Sequence, residues 1–160
     1  MNLIQVNSVE HGTYHLEEIF ANLKQAPILL QVFETKKILD DVFEKTVVIV
    51  NDSTHYMHVT NDDASIVIGK KHLHSSEKKI LYLDIIHELV HVKQQRKGLD
   101  LYDESYSYVD RPTEIEAYQI AVEEARRLGM NDDEIFEYLH VDWISNEEHK
   151  RLASKVGVIV

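Results

Sequence analysis

Apolar and polar positions change period along this chain, and the changes mark its elements. Residues 14–25 (YHLEEIFANLKQ) place Leu16, Ile19, Phe20 and Leu23 on one helical face, with Thr13 as a candidate cap. Pro27 punctuates, and the mixed apolar spacing of 28–44 predicts a second helix. TVVIV at 46–50 is β-branched and reads as a buried strand. His55 to Thr60 alternates weakly, and SIVIG at 65–69 is a second strong strand, so a sheet of two or three strands is expected between about 46 and 69. From Glu77 the period becomes helical, with Ser75 and Ser76 as candidate caps and Gly98 as the stop. Ile80, Leu81, Leu83, Ile85, Ile86, Leu89, Val90 and Val92 surround this helix almost completely, which predicts a central position. A tyrosine- and acid-rich connection (99–111) leads to a helix opened by Pro112-Thr113 and ended by Gly129, with Thr113 and Glu116 spaced as a capping box. Two short helices near 132–139 and 146–155 complete a single α+β domain over 1–160, without repeat or linker.

Composition narrows the function classes. Apolar content of 44% and charged content of 28% are those of a soluble globular chain. A formal charge of −11, with basic clusters that are short and interrupted, argues against a nucleic-acid partner. The absence of cysteine excludes disulfides and thiolate metal sites. No basic segment followed by an apolar one opens the chain, and no apolar run is long enough to span a bilayer. The expectation is therefore a cytoplasmic protein without a membrane partner.

The central helix contains DIIHELVHVKQQ (84–95), which sets two histidines and a glutamate among apolar neighbours. Burying such groups is costly unless something pairs with them. His87 and His91 are four residues apart, so on a helix they share one face and two imidazoles can reach one ion. Glu88 is too far around the helix to be a comfortable third ligand, but it can reach a water bound to the metal. That is the division of labour of an HExxH site, with two histidines on zinc and the glutamate as general base. A hydrolytic zinc site takes three protein ligands and one open position, and the third must here be His, Asp or Glu. The following helix offers EIEAY at 114–118.

With these motifs the chain resembles the gluzincin clan of zinc metallopeptidases, in which HExxH on one helix is completed by a glutamate on the next. HELVHVKQ with the downstream EIEAYQIA is similar to the small ImmA/IrrE-type peptidases. The resemblance covers about residues 77–128 and implies a zincin-like α+β fold, one Zn2+ and a peptide or protein substrate. It also implies His87, His91 and Glu114 as ligands and Glu88 as catalytic base. Ala117, three residues after Glu114, matches the small residue common in that frame and allows close approach of the two helices. Glu116 remains the competing ligand; two residues apart, only one of the two carboxylates can face the ion. Two positions depart from the clan's pattern, Lys93 where an apolar residue is usual and Tyr118 where an acidic one is common.

A ligand histidine normally donates its second N–H to an acceptor, for which Asp84 or Asp110 are candidates. Tyr102, Tyr106, Tyr108, His140 and His149 are candidates for stabilising an oxyanion, although tyrosines in a connection more often simply pack. SIVIG or its neighbour is the expected edge strand for an extended peptide. His55, His58, His72 and His74 read as exposed loop histidines. The alternative function is a catalytically silent module of the same fold, used for binding or regulation.

Overall fold

The computed structural model describes residues 4–160, which form a four-stranded mixed sheet and eight α-helices. The two apolar segments singled out as strands are its centre. β2 (Val47–Asn51) and β4 (Ile66–Gly69) run parallel, with Val48 opposite Ile66 and Val50 opposite Ile68. All four of these side chains are buried. β3 (Met57–Val59) precedes β4 in sequence but pairs antiparallel on its far side, so the hairpin inserts β4 between β2 and β3. SIVIG is thus an interior strand and its neighbour β3 is the edge.

The other edge corrects an expectation. Residues 12–15 form β1 (Gly12–His15), antiparallel to β2, and the helix expected over 14–25 shrinks to α1 (Leu16–Ile19) and a 3-10 turn at Leu23–Gln25. Thr13 lies in the strand; the backbone N–H of His15 bonds the Glu18 carboxylate at 2.6 Å instead. The periodicity had a real cause all the same, because Leu16, Ile19, Phe20 and Leu23 are fully buried. The helix expected over 28–44 is two, α2 (Ile28–Phe33) and α3 (Lys36–Lys45). The break falls at Glu34, whose φ of 72° no helix continues through. Thr35 then caps α3 by accepting from the Ile38 N–H.

KKHLHS at 70–75, read as a connection, is a short helix, α4 (Lys70–Ser75), so His72 is not a loop histidine. Ser76 ends α4 rather than capping the next helix, and its hydroxyl bonds His72. α5 (Lys78–Arg96) is the expected central helix, with Leu81, Leu83, Ile85, Ile86, Leu89, Val90 and Val92 all buried. Gly98, at φ 83°, supplies the left-handed residue that ends it. A 3-10 turn at Tyr108–Asp110 leads into α6 (Pro112–Arg127). Proline fits the first turn of a helix, where its missing N–H has no partner anyway. The helix therefore begins two residues earlier than a Thr113 cap requires; Thr113 donates to the Leu101 carbonyl, and no capping box forms with Glu116. α7 (Asp132–Tyr138) and α8 (Asn146–Lys155) have the expected places, each opened by a capping box. Among the described residues no helix is long and apolar enough to cross a membrane.

Candidate metal centre

Two packed helices build the site. α6 turns a row of small residues, Ala117, Ala121 and Ala125, into the core, where all three are fully buried. Small side chains let helix axes approach closely, and α6 packs against α5 more extensively than any other helix does. The first turn of α6 thereby delivers Glu114 to the middle of α5, where His87, Glu88 and His91 lie. All four side chains are buried.

Glu114 Oε1 lies 3.0 Å from His87 Nε2 and 3.0 Å from His91 Nε2, and the two imidazole nitrogens are 3.1 Å apart. These three atoms form the one group of metal-ligating side chains so converged among the described residues. Tetrahedral ligands about 2.0–2.1 Å from a zinc ion stand about 3.3–3.4 Å from each other, so the triangle is slightly tighter than a filled site. Neutral imidazole has one N–H, and two ring nitrogens facing each other and one carboxylate oxygen offer more lone pairs than protons.

The tautomer of His91 is fixed from behind. His91 Nδ1 meets Gln94 Oε1 at 2.7 Å, while Gln94 Nε2 donates to the Thr113 carbonyl at 3.0 Å and to Glu116 at 2.7 Å. Both of the latter partners are acceptors, so the amide can point only one way and its oxygen must receive the Nδ1 proton. Once His91 gives up its other proton, its Nε2 lone pair faces Glu114 and His87. Glu116, the competing ligand, is spent in this outer layer, where its other oxygen pairs with Lys93 at 2.9 Å. Lys93 thus has a polar role on a face where an apolar residue was expected.

The electrostatics follow from burial. The Glu88 carboxyl is pushed up to about 8, mainly by burial, with the Glu114 and Asp84 charges adding to it and His91 opposing. Burial pushes His87 down. For His91 burial also disfavours charge, but the adjacent Glu114 carboxylate overrides it and lifts the imidazole to about 9. Glu114 is held well below the carboxylate range, because its histidine contacts outweigh burial. Two buried polar atoms here lack any partner, His87 Nδ1 and Glu88 Oε2. Buried polar atoms in native proteins are normally satisfied, so such orphans ask for a ligand or water. Three converging donor atoms and an unpartnered carboxylate oxygen suit a buried cation with a bound polar molecule.

Neither aspartate named for the second layer holds a site histidine. Asp84 pairs with His72 at 2.9 Å and accepts from Tyr138 at 3.2 Å. Asp110 ties Arg151, Lys155 and Ser107. Gln94 does that work for His91, and its signal was visible, a side-chain amide three residues after His91 on the same helix. Tyr118, where an acidic residue was the commoner choice, packs its ring 4.3 Å from that of His87 and bonds Tyr108 OH at 2.7 Å.

A cavity of about 200 Å3 opens onto His87, Glu88, His91 and Glu114. Tyr102 and Tyr108 line it, but Tyr106 does not. His140 and His149 lie elsewhere; His149 is stacked on Phe136 and donates to its carbonyl. His58, expected in an exposed loop, is half-buried on β3 and faces the cavity. Tyr56, Tyr138 and Trp143 also form its walls, and nothing in the local sequence pattern singled them out. Compared with protein-family models, with curated proteins and with solved structures, the chain gives no significant match.

Proposed function

We propose that this chain is a zinc-dependent metallopeptidase with a minimal gluzincin-like core. The observation that carries the reading is the convergence of His87 Nε2, His91 Nε2 and Glu114 Oε1 beside the unpartnered Glu88 Oε2, all opening on one cavity. An O/N ligand set of two imidazoles and a carboxylate suits zinc and leaves a position open for chemistry. Zinc bound there supplies a Lewis acid for the scissile carbonyl and lowers the pKa of water at the site.

The remaining steps belong to side chains. Opposite charge at the three-ligand point favours the Glu88 carboxylate over the protonated form that burial alone prefers. Glu88 Oε2 then accepts the proton of the attacking water and later hands it to the departing amine. Gln94 and Tyr118 hold the two imidazoles so that they do not swing as charge develops. Tyr102 and Tyr108 are the tyrosines of the connection within the cavity; Tyr102 OH donates to the Val59 carbonyl, so Tyr108, whose oxygen can accept from Tyr118 OH, is the hydroxyl left for a developing oxyanion.

The substrate enters beside β3. Antiparallel pairing alternates bonded and unbonded pairs. The Gly69 N–H to Tyr56 and Thr60 N–H to Ser65 bonds place Tyr56, His58 and Thr60 in bonded pairs. Met57 and Val59 therefore turn their backbone groups to the open edge, where an extended peptide adds as a further strand. The test is cleavage of a peptide library by zinc-loaded protein. Turnover is expected in the native chain and absent in Glu88→Gln, with zinc content equal in both; undiminished turnover in Glu88→Gln contradicts the assignment.

A further inference from the structure

The open edge of β3 is stopped at both ends. At its C-terminal end the Tyr102 hydroxyl donates to the Val59 carbonyl, an outward-facing acceptor that an added strand would otherwise use. The segment carrying Tyr102 is fastened to the turn beyond β3, since Leu101 N–H donates to Asn61 Oδ1 at 3.0 Å and Asn61 donates to Asp100 at 3.0 Å. At the other end Tyr56 OH donates to Asp142 at 2.6 Å, and its ring meets Trp143 edge-on at 5.5 Å. Trp143 also meets Tyr108 edge-on, 5.4 Å between centroids, so the segment after α7 bridges the cleft from one wall to the other. Between the two stops the edge offers the N–H and C=O of Met57 and the N–H of Val59, and no side chain or backbone group of the described residues takes them.

We infer that the site takes short peptides or chain ends and does not thread a long polypeptide, with Tyr102 and the Tyr56–Asp142 pair as its two end-stops. At about 3.3 Å per residue, the stretch from Tyr56 to Val59 accommodates roughly three residues in extended form. The small cavity agrees with this, being below the roughly 300 Å3 at which ordinary ligand pockets begin. A longer chain has to displace a tyrosine hydrogen bond at one end or separate two aromatic contacts at the other. The ligand class rests on the peptidase reading above, whereas the length limit rests on the two stops alone.

Trp143 is the sole tryptophan and stands at the rim, half-exposed, so its fluorescence reports occupancy of this cleft directly. The test titrates zinc-loaded Glu88→Gln protein with blocked tripeptides and with twelve-residue peptides that carry the same sequences at their centre. Loss of one hydrogen bond to the edge, about 1.4 kcal/mol, corresponds to about tenfold, so the short set is expected to bind at least that much more tightly. In Tyr102→Phe the preference should fall to roughly twofold or less, while Tyr106→Phe, outside the cleft, should leave it intact. Equal binding of long and short peptides, or an unchanged preference in Tyr102→Phe, overturns the inference. Zinc binding with cleavage but no length preference sinks the inference alone. A length preference in protein that holds no zinc sinks the peptidase reading and leaves the end-stops standing.

Discussion

Gln94 shows how much a single side chain decides. Its amide oxygen accepts from His91 Nδ1–H while its amide NH2 is anchored on Thr113 and Glu116, so an uncharged residue sets which His91 nitrogen faces His87 and Glu114. Replacing it with leucine leaves an imidazole N–H buried without an acceptor, at a cost of about 1–3 kcal/mol. Loss of such an outer partner typically weakens metal affinity by about 10–100-fold, the drop expected for zinc in Gln94→Leu by competition with a chromogenic chelator. Equal affinity in Gln94→Leu and the native chain contradicts the role. The same chelator assay separates the two glutamates. Glu114→Gln should abolish tight zinc binding, whereas Glu116→Gln, which keeps an acceptor for Gln94, should change it by less than about tenfold. His87, Glu88 and His91 were legible in the sequence because their spacing matches one turn of helix. Glu114 was favoured over Glu116 only through the resemblance and the spacing of Ala117; the reason for it, which face of α6 meets α5, was not legible.

At the scale of elements, α5, β2 and β4 were readable because their apolar runs feed the core, throughout β4 and through Val48 and Val50 in β2. β1 was missed because GTYH carries no alternation and stays mostly exposed; its strand form comes from pairing with β2, a contact between residues some thirty-five positions apart. The break between α2 and α3 was missed because Glu34 adopts a positive φ that no glycine announced. Gly69 has a use that only packing reveals. A Cβ there would lie 2.3 Å from the Thr54 carbonyl oxygen, where β4 passes the segment that forms one wall of the cavity. Gly69→Ala should therefore displace residues 54–56 and destabilise the fold by about 1–3 kcal/mol, read from denaturant midpoints at unchanged slope. α8 is tied to the turn before α6 through Asp110, whose carboxyl Arg151, Lys155 and Ser107 hold well below its usual value. A depressed folded pKa stabilises above the unfolded value, about 3.9, and that contribution is lost as the pH falls through the folded one. The stability difference between the native chain and Asp110→Asn should accordingly be constant near neutrality and shrink below about pH 4; a difference that grows on acidification contradicts the sign.

For the whole molecule, one hydrophobic cluster runs from Ile4 to Val158 and encloses the site, so the polar group of four is held by a core that does not depend on it for most of its burial. Metal binding then acts as ligand linkage on a chain that is already folded. Zinc at about a thousand times its dissociation constant should add about 4 kcal/mol. Chelation is expected to lower the unfolding temperature while leaving the helical far-ultraviolet spectrum in place, and collapse of that spectrum would show the metal to be structural instead. The α+β class and a central helix carrying the site could be read from periodicity. The sheet order could not, because β3 and β4 exchange places relative to the chain. The central claim is that His87, His91 and Glu114 form one metal site with Glu88 beside it but outside it. Zinc per chain, measured by elemental analysis after gel filtration at neutral pH, tests this most directly. One equivalent is expected in the native protein and in Glu88→Gln, and none in His87→Ala or Glu114→Ala. A native chain without zinc, or a full equivalent retained in both His87→Ala and Glu114→Ala, would contradict the account.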